Sequence, residues 1–348
     1  MRSKGVVAAA VALILPVVLA ACGFREAGGE RVKLKVIYAG SLIVPLEEVE
    51  TQFESLHPGV DVESEGHGSI QVIRYVTDLG KEADVLAVAD YTLIPAMMYP
   101  DYADWLIRFA SNQLVLAYTE RSKYAQEINS SNWYEIISRP DVKIGLAHPL
   151  LDASGYRALM AMQLAETHYQ DPILFERAVA EHFSPAISVR EDQGTYTIVL
   201  PEVIKPRGEK FALRGGSIQL MALLEAGAID YAFEYRSVAL QHGFKFIELA
   251  PPINLGCPDQ EDIYQKVKVK FGFQRFAALE GEQGKTIYYA LTVPRNAPQR
   301  SWAAEYIRFI LGPQGQKIFD KHHHPFIPAV TDNPAAVPPE VAPLVSKE

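Results

Sequence analysis

The hydrophobic and polar positions alternate between strand and helix patterns from residue 33 onward. Residues 33–39 alternate and are rich in β-branched and aromatic side chains, and Gly40-Ser41 and an amphipathic segment follow them, which predicts a strand, a turn and a helix. The order recurs at "VDVES", Gly66–Ser69 and the helical "IQVIRYVTDLGKEA", and residues 84–89 are continuously apolar, as a buried parallel strand should be. Repeated strand–helix units predict an α/β fold with a parallel sheet.

The strand–helix pattern restarts after "NQLVLAYT", which predicts a second lobe. The predicted organisation is residues 1–22, a signal peptide; 23–32, a tether; 33–118, the first part of lobe 1; 119–243, lobe 2; 244–331, the return to lobe 1; and 332–348, a Pro-rich and lightly ordered tail. Two α/β lobes, with the first resumed near the C-terminus, enclose a cleft between them. Clefts of this kind are common ligand sites.

The N-terminal residues have the pattern of an export signal. Arg2 and Lys4 precede an apolar run at 5–21, which ends in the small residues before Cys22. The run is nearly long enough to span a bilayer, so a retained membrane anchor is the alternative. The ending resembles the lipobox of prokaryotic lipoproteins, which implies that Cys22 is lipidated and becomes the mature N-terminus. We therefore expect an extracytoplasmic protein at a membrane surface.

Charge and cysteine content exclude several classes of function. The formal net charge of the 348 residues is −9 and no Lys/Arg cluster is present, so nucleic acid is not an expected partner. Only Cys257 remains after processing, and no CxxC or HExxH pattern indicates a metal site. His322–His324 are expected to be exposed residues after a helix end. No catalytic constellation can be assembled from the sequence.

Three predicted strand-to-helix junctions share one chemistry: Gly40-Ser41, Gly68-Ser69 and Asp152–Ser154. Each combines a small residue, a hydroxyl group and a helix start with free N–H groups and a partial positive charge. Such helix starts converge at the carboxyl edge of a parallel sheet. Together they predict a cradle for an oxyanion, although each serine taken singly is also a good N-cap.

Several stretches resemble one known family. They are "YAGSL", "ADYTLIPAMMYPDYADW", "NQLVLAYT", "NWYEIISRPDV", "DYAFEYRSVALQHG" and "PFIPAV". The family is that of the archaeal-type tungstate/molybdate-binding proteins, the solute receptors of ABC importers, and the resemblance covers residues 33–331. It implies a two-lobed type II periplasmic-binding fold that closes on a tetrahedral oxyanion. It also implies a monomer that needs no cofactor and that delivers its ligand to a permease and its ATPase.

The resemblance also implies which residues contact the anion. Carried over residue by residue, the contacts are Gly40, Ser41, Ser69, Asp152, Ala153, Ser154 and Tyr235. The family places two carboxylates near the metal atom of the anion and so expands its coordination from four to six. Asp152 matches the first carboxylate, with a plain N-cap as the alternative.

The chain departs from the family at the second carboxylate. Ser217 stands where the family has a glutamate, so the second carboxylate of the six-fold coordination is not present at this position, and Ser217 is expected to donate to an anion oxygen instead. Glu234 neighbours Tyr235 in a predicted strand and is expected to point to the opposite face. His67, beside Ser69, is expected to line or cap the cleft, with donation to the anion as the alternative.

The resulting hypothesis is a lipid-anchored extracytoplasmic solute-binding protein for tungstate or molybdate, without enzymatic activity. The nearest alternative keeps the fold and binds another oxyanion, such as sulfate or phosphate. A secreted hydrolase or redox enzyme and a lipoprotein that senses rather than transports are further alternatives.

Overall fold

A computed structural model describes residues 30–272 and 281–348. The predicted signal peptide, Cys22 and most of the predicted tether lie outside these residues. The strands are β1 (Val32–Ala39), β2 (Val60–His67), β3 (Val85–Val88), β4 (Ile107–Ser111), β5 (Leu114–Tyr118), β6 (Ile144–Ala147), β7 (Ser188–Asp192), β8 (Thr195–Val199), β9 (Phe211–Arg214), β10 (Tyr231–Tyr235), β11 (Lys245–Glu248), β12 (Val267–Lys270), β13 (Gly281–Gln283), β14 (Tyr288–Thr292), β15 (Phe326–Thr331) and β16 (Ser346–Lys347).

Helices follow most of these strands. The α-helices are α1 (Ile43–Leu56), α2 (Ser69–Thr77), α3 (Leu93–Met98), α4 (Trp133–Ser138), α5 (Ala153–Tyr169), α6 (Leu174–Ala178), α7 (Ile218–Glu225), α8 (Arg236–Gln241), α9 (Glu261–Tyr264), α10 (Arg300–Leu311) and α11 (Pro313–Lys321). Short 3₁₀ helices lie at Gly40–Leu42, Ala180–His182, Pro258–Gln260 and Ala342–Leu344. No helix among the described residues is both long and apolar enough to cross a membrane.

The first lobe is built on a seven-stranded sheet with the order β16-β15-β4-β14-β3-β1-β2. Strand β1 pairs in parallel with β2 and β3, as the repeated strand–helix pattern predicted. Strand β14 returns late in the chain and pairs antiparallel with β3 and β4. All four residues of β3 are buried, which agrees with their continuously apolar sequence.

The second lobe is built on a five-stranded sheet with the order β11-β5-β10-β6-β9. Strands β5 and β11 belong to it, whereas the expected boundaries assigned them to the first lobe. The chain therefore crosses between the sheets at residues 112–113 and not at 118, and it is still in the second sheet at Glu248. Strand β5 is apolar throughout, so its sequence does not indicate which of two buried sheets it joins.

Two further parts of the chain differ from expectation. A separate four-stranded sheet, with the order β13-β12-β8-β7, joins residues 188–199 to residues 267–270 and 281–283. The C-terminal segment is not a loose tail, because β15 pairs with β4 and β16 pairs with β15. Arg108 also forms an ion pair of 2.9 Å with Glu348. Pro328 lies within β15, where the pairing with β4 shifts register between Phe326 and Val330, and a missing N–H is tolerated at such an irregularity.

The sheets place five helix starts at the ends of strands. They follow β1 (the 3₁₀ turn at Gly40–Leu42), β2 (α2), β6 (α5), β9 (α7) and β10 (α8). Of these, α5 is the most enclosed, with every residue from Ala153 to Ala165 buried. Its position in the packed core holds the start of the helix, beside Asp152, in a fixed place.

Candidate functional site

The two lobes touch where the predicted anion site lies. The N–H of Gln71, on α2 of the first lobe, donates to the carbonyl of Leu151 in the second lobe at 3.1 Å. A Cβ atom on Gly68 would stand 2.3 Å from that carbonyl oxygen and 3.0 Å from Cβ of Asp152. The backbone of Gly68 has φ −64°, which any residue adopts, so the glycine is required by the approach of the other lobe. The cleft is therefore closed.

Asp152 connects two helix starts in the second lobe. Its Oδ1 accepts from the Ser154 N–H at 2.9 Å and from the Ser154 hydroxyl at 3.1 Å, and its Oδ2 accepts from the Ser217 N–H at 3.1 Å. The side chain is buried, and burial raises its pKa, against the effect of these hydrogen bonds. Asp152 thus caps α5 and ties the start of α7 to it.

Ser217 is shared by two acidic side chains. Its N–H donates to Asp152, while its hydroxyl donates to Oε1 of Glu234 at 3.0 Å. The same Oε1 accepts from the Tyr235 N–H at 2.7 Å. Glu234 has no solvent exposure. Burial, with a smaller contribution from the charge of Asp152, raises its pKa to about 8.

The expectation that Glu234 faces away from the cleft residues is wrong. Alternation of side chains holds along a regular strand, but Glu234 and Tyr235 are the last two residues of β10, and Tyr235 is also the N-cap of α8. The chain leaves the sheet at this point. Both side chains therefore reach the region around the start of α7 and α5.

Tyr235 is held by an arginine that also joins the lobes. Arg157 donates to the Tyr235 hydroxyl oxygen at 2.9 Å and to the carbonyl of Ala89, in the first lobe, at 2.6 Å. Its Nη2 lies 2.9 Å from Oδ2 of Asp90, and the Tyr156 hydroxyl donates to the same carboxylate oxygen at 2.6 Å. Burial alone would lower the pKa of Arg157, but Asp90 and the tyrosines raise it above its usual value. The guanidinium is thus charged and already paired.

The two first-lobe serines each accept one hydrogen bond. The Tyr289 hydroxyl donates to Oγ of Ser41 at 2.9 Å, and the Ala89 N–H donates to Oγ of Ser69 at 3.1 Å. Each serine hydroxyl therefore keeps its own proton for another acceptor. Tyr289 also accepts from Asn112 at 3.1 Å, at the crossing between the lobes.

The predicted site residues form one connected region. Asp152, Ser154 and Ser217 are joined by direct hydrogen bonds, and Tyr235 is joined to Ser217 through Glu234. Ser69 accepts a hydrogen bond from the Ala89 N–H, and Arg157 bridges the Ala89 carbonyl and the Tyr235 hydroxyl. Ser41 accepts from Tyr289, whose ring centroid is 6.0 Å from that of Tyr235. Ala153 is buried at the start of α5, and a Cβ on Gly40 would lie 3.2 Å from Cγ2 of Ile218.

The histidines lie elsewhere or serve other contacts. His67 is half-buried, and its Nε2 lies 3.2 Å from Glu65, so it pairs at the side of the cleft. The expectation that His322–His324 are all exposed holds for His323 alone. His322 is half-buried with its Nε2 2.6 Å from Oε2 of Glu48, and His324 is fully buried 3.2 Å from Oγ of Ser237. Burial lowers its pKa to about 4. Within residues 30–272 and 281–348, no group of three or more His, Cys, Asp or Glu side chains is placed to hold a metal ion.

Sequence reasoning missed Arg157 and assigned Glu234 to the wrong face. A signal existed for the first, because Arg157 is the sole charged residue between Ala153 and Ala165, the buried part of α5. A buried charge in such a segment must be paired. No sequence signal indicated the direction of Glu234, which depends on where β10 ends.

Comparison with known proteins places the chain in a family. The family model described as bacterial extracellular solute-binding protein matches residues 34–324. The chain belongs to this family. It is 40% identical over 337 residues to the molybdate/tungstate-binding protein WtpA of Pyrococcus abyssi, covering 93% of this chain and 92% of the relative. It is 42% identical over 307 residues to an uncharacterized solute-binding protein of Methanoculleus marisnigri, covering 86% and 83% respectively.

Solved structures confirm the predicted fold. The sulfate-binding protein SubI of Mycobacterium tuberculosis matches with a TM-score of 0.57 and 17% identity, covering 92% of this chain and 94% of that one. The periplasmic molybdate-binding protein of Azotobacter vinelandii matches with a TM-score of 0.55 and 13% identity, covering 84% and 98%. The chain is thus an extracellular solute-binding protein of the two-lobed α/β type, and the sequence resemblance to the tungstate/molybdate-binding family is confirmed at the family level.

The buried pair of Arg157 and Asp90 predicts a large and non-additive effect on stability. Arg157→Met leaves the Asp90 carboxylate buried without its cation, which should lower the free energy of unfolding by about 3–5 kcal/mol. Arg157→Met with Asp90→Asn should lose less than the sum of the two single changes. Arg308→Met, at the exposed pair with Glu305, is the control and should lose about 0–1 kcal/mol. Urea unfolding measures all four variants, and additive losses would show that the pair is not coupled.

Proposed function

We propose that this protein is the solute receptor of an ABC importer and that it binds tungstate or molybdate between its closed lobes. The observation that carries the proposal is the meeting of helix starts from both lobes around Asp152 and Ser217, in a buried region rich in N–H and hydroxyl donors. The 40% identity to WtpA of Pyrococcus abyssi, which is named for molybdate and tungstate binding, supports the choice of ligand.

The proposed anion contacts are hydrogen-bond donors and not cations. They are Gly40, Ser41, Ser69, Ala153 and Tyr235, through backbone N–H groups or hydroxyls. Ser154 and Ser217, which the sequence also suggested as contacts, already donate with both N–H and hydroxyl to Asp152 and Glu234, so they position these acids. Arg157 lies close by, but its charge is balanced by Asp90. With a formal net charge of −9, long-range attraction does not favour an anion, so affinity must come from these local donors. No cofactor and no catalytic step is part of the proposal.

Asp152 is proposed to approach the metal atom of the bound anion. A carboxylate near the oxygens of an anion is repelled, whereas tungsten and molybdenum accept further oxygen ligands. Sulfur in sulfate and phosphorus in phosphate do not readily do so. The three hydrogen bonds that Asp152 accepts hold its carboxylate in one orientation, which suits such a contact.

Membrane attachment is the remaining part of the proposal. Lipidation of Cys22 would hold the protein, as a monomer, outside the cytoplasm beside its permease and ATPase. Mass spectrometry of the N-terminal peptide from cell membranes reads this modification directly. An unmodified peptide beginning before Cys22 would instead support a retained anchor.

The proposed ligand is tested by titrating residues 23–348 with tungstate, molybdate, sulfate and phosphate in a calorimeter. Tungstate and molybdate should bind tightly and the other two should give no heat of binding. One observation favours the second candidate, a sulfate or phosphate receptor: Ser217 stands where the resembled family has a carboxylate. Binding of sulfate or phosphate, or of none of the four, would overturn the proposed ligand while leaving the fold intact.

Asp152→Ala should weaken tungstate binding by at least about tenfold, because both the carboxylate contact and the link between α5 and α7 are lost. His67→Ala is the control, since His67 pairs with Glu65 at the side of the cleft, and it should change affinity by less than about threefold. Calorimetry on variants whose circular dichroism matches the parent measures the difference. Equal and small losses would show that Asp152 only caps its helix.

Gly68→Ala should reduce affinity without unfolding the first lobe. The added Cβ meets the Leu151 carbonyl only when the lobes close, so the closed state is penalised. Gly59→Ala is the matched control, because a Cβ there has no atom within 4 Å. Small-angle scattering with saturating tungstate should show compaction for the parent and Gly59→Ala but less for Gly68→Ala. Equal compaction and affinity in all three would contradict closure through this contact.

A further inference from the structure

One oxygen of the Glu234 carboxyl group has no partner. Oε1 accepts from both the Ser217 hydroxyl and the Tyr235 N–H, whereas Oε2 is buried and makes no hydrogen bond to any of the described residues. Buried polar atoms without partners are rare in proteins, and each calls for an explanation such as an absent ligand. Glu234 has no solvent exposure, so bulk water does not satisfy this atom.

The unpartnered oxygen lies beside the proposed anion contacts. Ser217 donates to Asp152 with its N–H and to Glu234 with its hydroxyl, so the two carboxyl groups flank a single residue. The next residue along the chain is Tyr235, another proposed contact. The charge of Asp152 also raises the pKa of Glu234, by less than burial does.

Two buried carboxylates and an anion cannot all be charged in one place without a cation. Arg157, which donates to the neighbouring Tyr235, is paired with Asp90. The favoured arrangement is therefore a neutral Glu234, in agreement with the rise of its pKa to about 8. Because Oε1 already accepts two hydrogen bonds, the proton belongs on Oε2. Oε2 is then a buried O–H donor that lacks an acceptor.

We propose that Glu234 contacts the bound anion directly, donating a hydrogen bond from Oε2 to an anion oxygen, and that Ser217 is the positioning residue that holds Oε1. This inference rests on the proposed function of the cleft. In the resembled family, the second acidic contact is a glutamate at position 217 that approaches the metal atom. Here the second acidic contact is Glu234, and it is made to an anion oxygen. A neutral acid at this place adds a donor where a second carboxylate would add a charge.

Glu234 shares this region with other titratable groups: burial also raises the pKa of Glu282, which accepts from the Thr92 hydroxyl near Asp90. From α5, Asp152 is held by three hydrogen bonds and Arg157 stays charged. From its own strand and from β14, Tyr235 and Tyr289 have pKa values that burial raises above the ordinary value, so both hydroxyls stay neutral.

Two substitutions distinguish a Glu234 that donates a hydrogen bond to the anion from a Glu234 that acts as a charged carboxylate. Glu234→Gln keeps an acceptor for Ser217 and Tyr235 and offers an N–H in place of the O–H, so its tungstate affinity should stay within about threefold of the parent. Glu234→Leu has similar size but no donor, and should lose at least about tenfold. Glu50→Gln is the matched control, because Glu50 also accepts from a serine hydroxyl, that of Ser64, in the first lobe, and it should leave affinity unchanged.

Two results of this titration would overturn the inference. If Glu234→Gln binds as weakly as Glu234→Leu, the ligand uses a charged carboxylate and not a donor. If both variants bind as tightly as the parent, Glu234 does not touch the ligand. Either result leaves the proposed function standing, provided that the parent binds tungstate or molybdate.

Urea unfolding without ligand tests whether Glu234 carries a proton in the folded protein. Between the ordinary glutamate pKa of 4.5 and the raised value of about 8, the folded protein binds a proton that the unfolded chain has released. Glu234 therefore makes the parent less stable as pH rises through this range, and Glu234→Gln removes that loss. Urea unfolding at about pH 5.5 and about pH 8.5 should show the variant gaining stability relative to the parent at the higher pH. If Glu234→Gln shows no such gain, Glu234 is not protonated in the folded protein. This result would count even if the parent bound none of the four anions.

Discussion

The structure depends on one electrostatic constraint: charges taken out of water between the two lobes must be neutralised or hydrogen-bonded. Asp152 meets it by accepting three hydrogen bonds from Ser154 and Ser217. Arg157 meets it through Asp90 and the Ala89 carbonyl in the opposite lobe. These contacts fix the helix starts and the closed position of the lobes at the same time. An anion entering the cleft therefore meets donors that are already oriented.

The same constraint explains how a region with buried acids can suit an anion. An unpaired cation would attract any anion, but Arg157 is balanced and offers little net charge. Selection then falls to the directions of N–H and O–H donors and to the chemistry of the two acids. Asp152 is suited to contact the metal atom of the anion. Glu234 is neutral and has one oxygen without a hydrogen bond, so it is suited to contact an anion oxygen. Closure is limited by backbone contact at Gly68, so the space left for a ligand is set by the backbone and not by adaptable side chains.

Much of this arrangement could be predicted from the sequence. Strand and helix periodicity is local, so the α/β class and the junctions at Ser69 and Asp152 were visible in it. Sheet membership is not local: β5 and β11 are short, and nothing in their sequences shows which sheet they join. The direction of Glu234 depends on the exact end of β10, and the burial of His324 depends on how the chain turns after α11. These features follow from tertiary contacts that a single sequence pattern does not contain.

The central claim is that helix starts of both lobes, together with Asp152 and Glu234, surround one oxyanion. A crystal structure with tungstate, using anomalous scattering to locate the metal atom, tests it most directly. A single tungsten peak should lie between the starts of α2 and α5, with an anion oxygen at hydrogen-bond distance, about 2.5–3.0 Å, from Oε2 of Glu234. A peak outside the cleft, or one inside it with Glu234 turned away from the anion, would contradict the account.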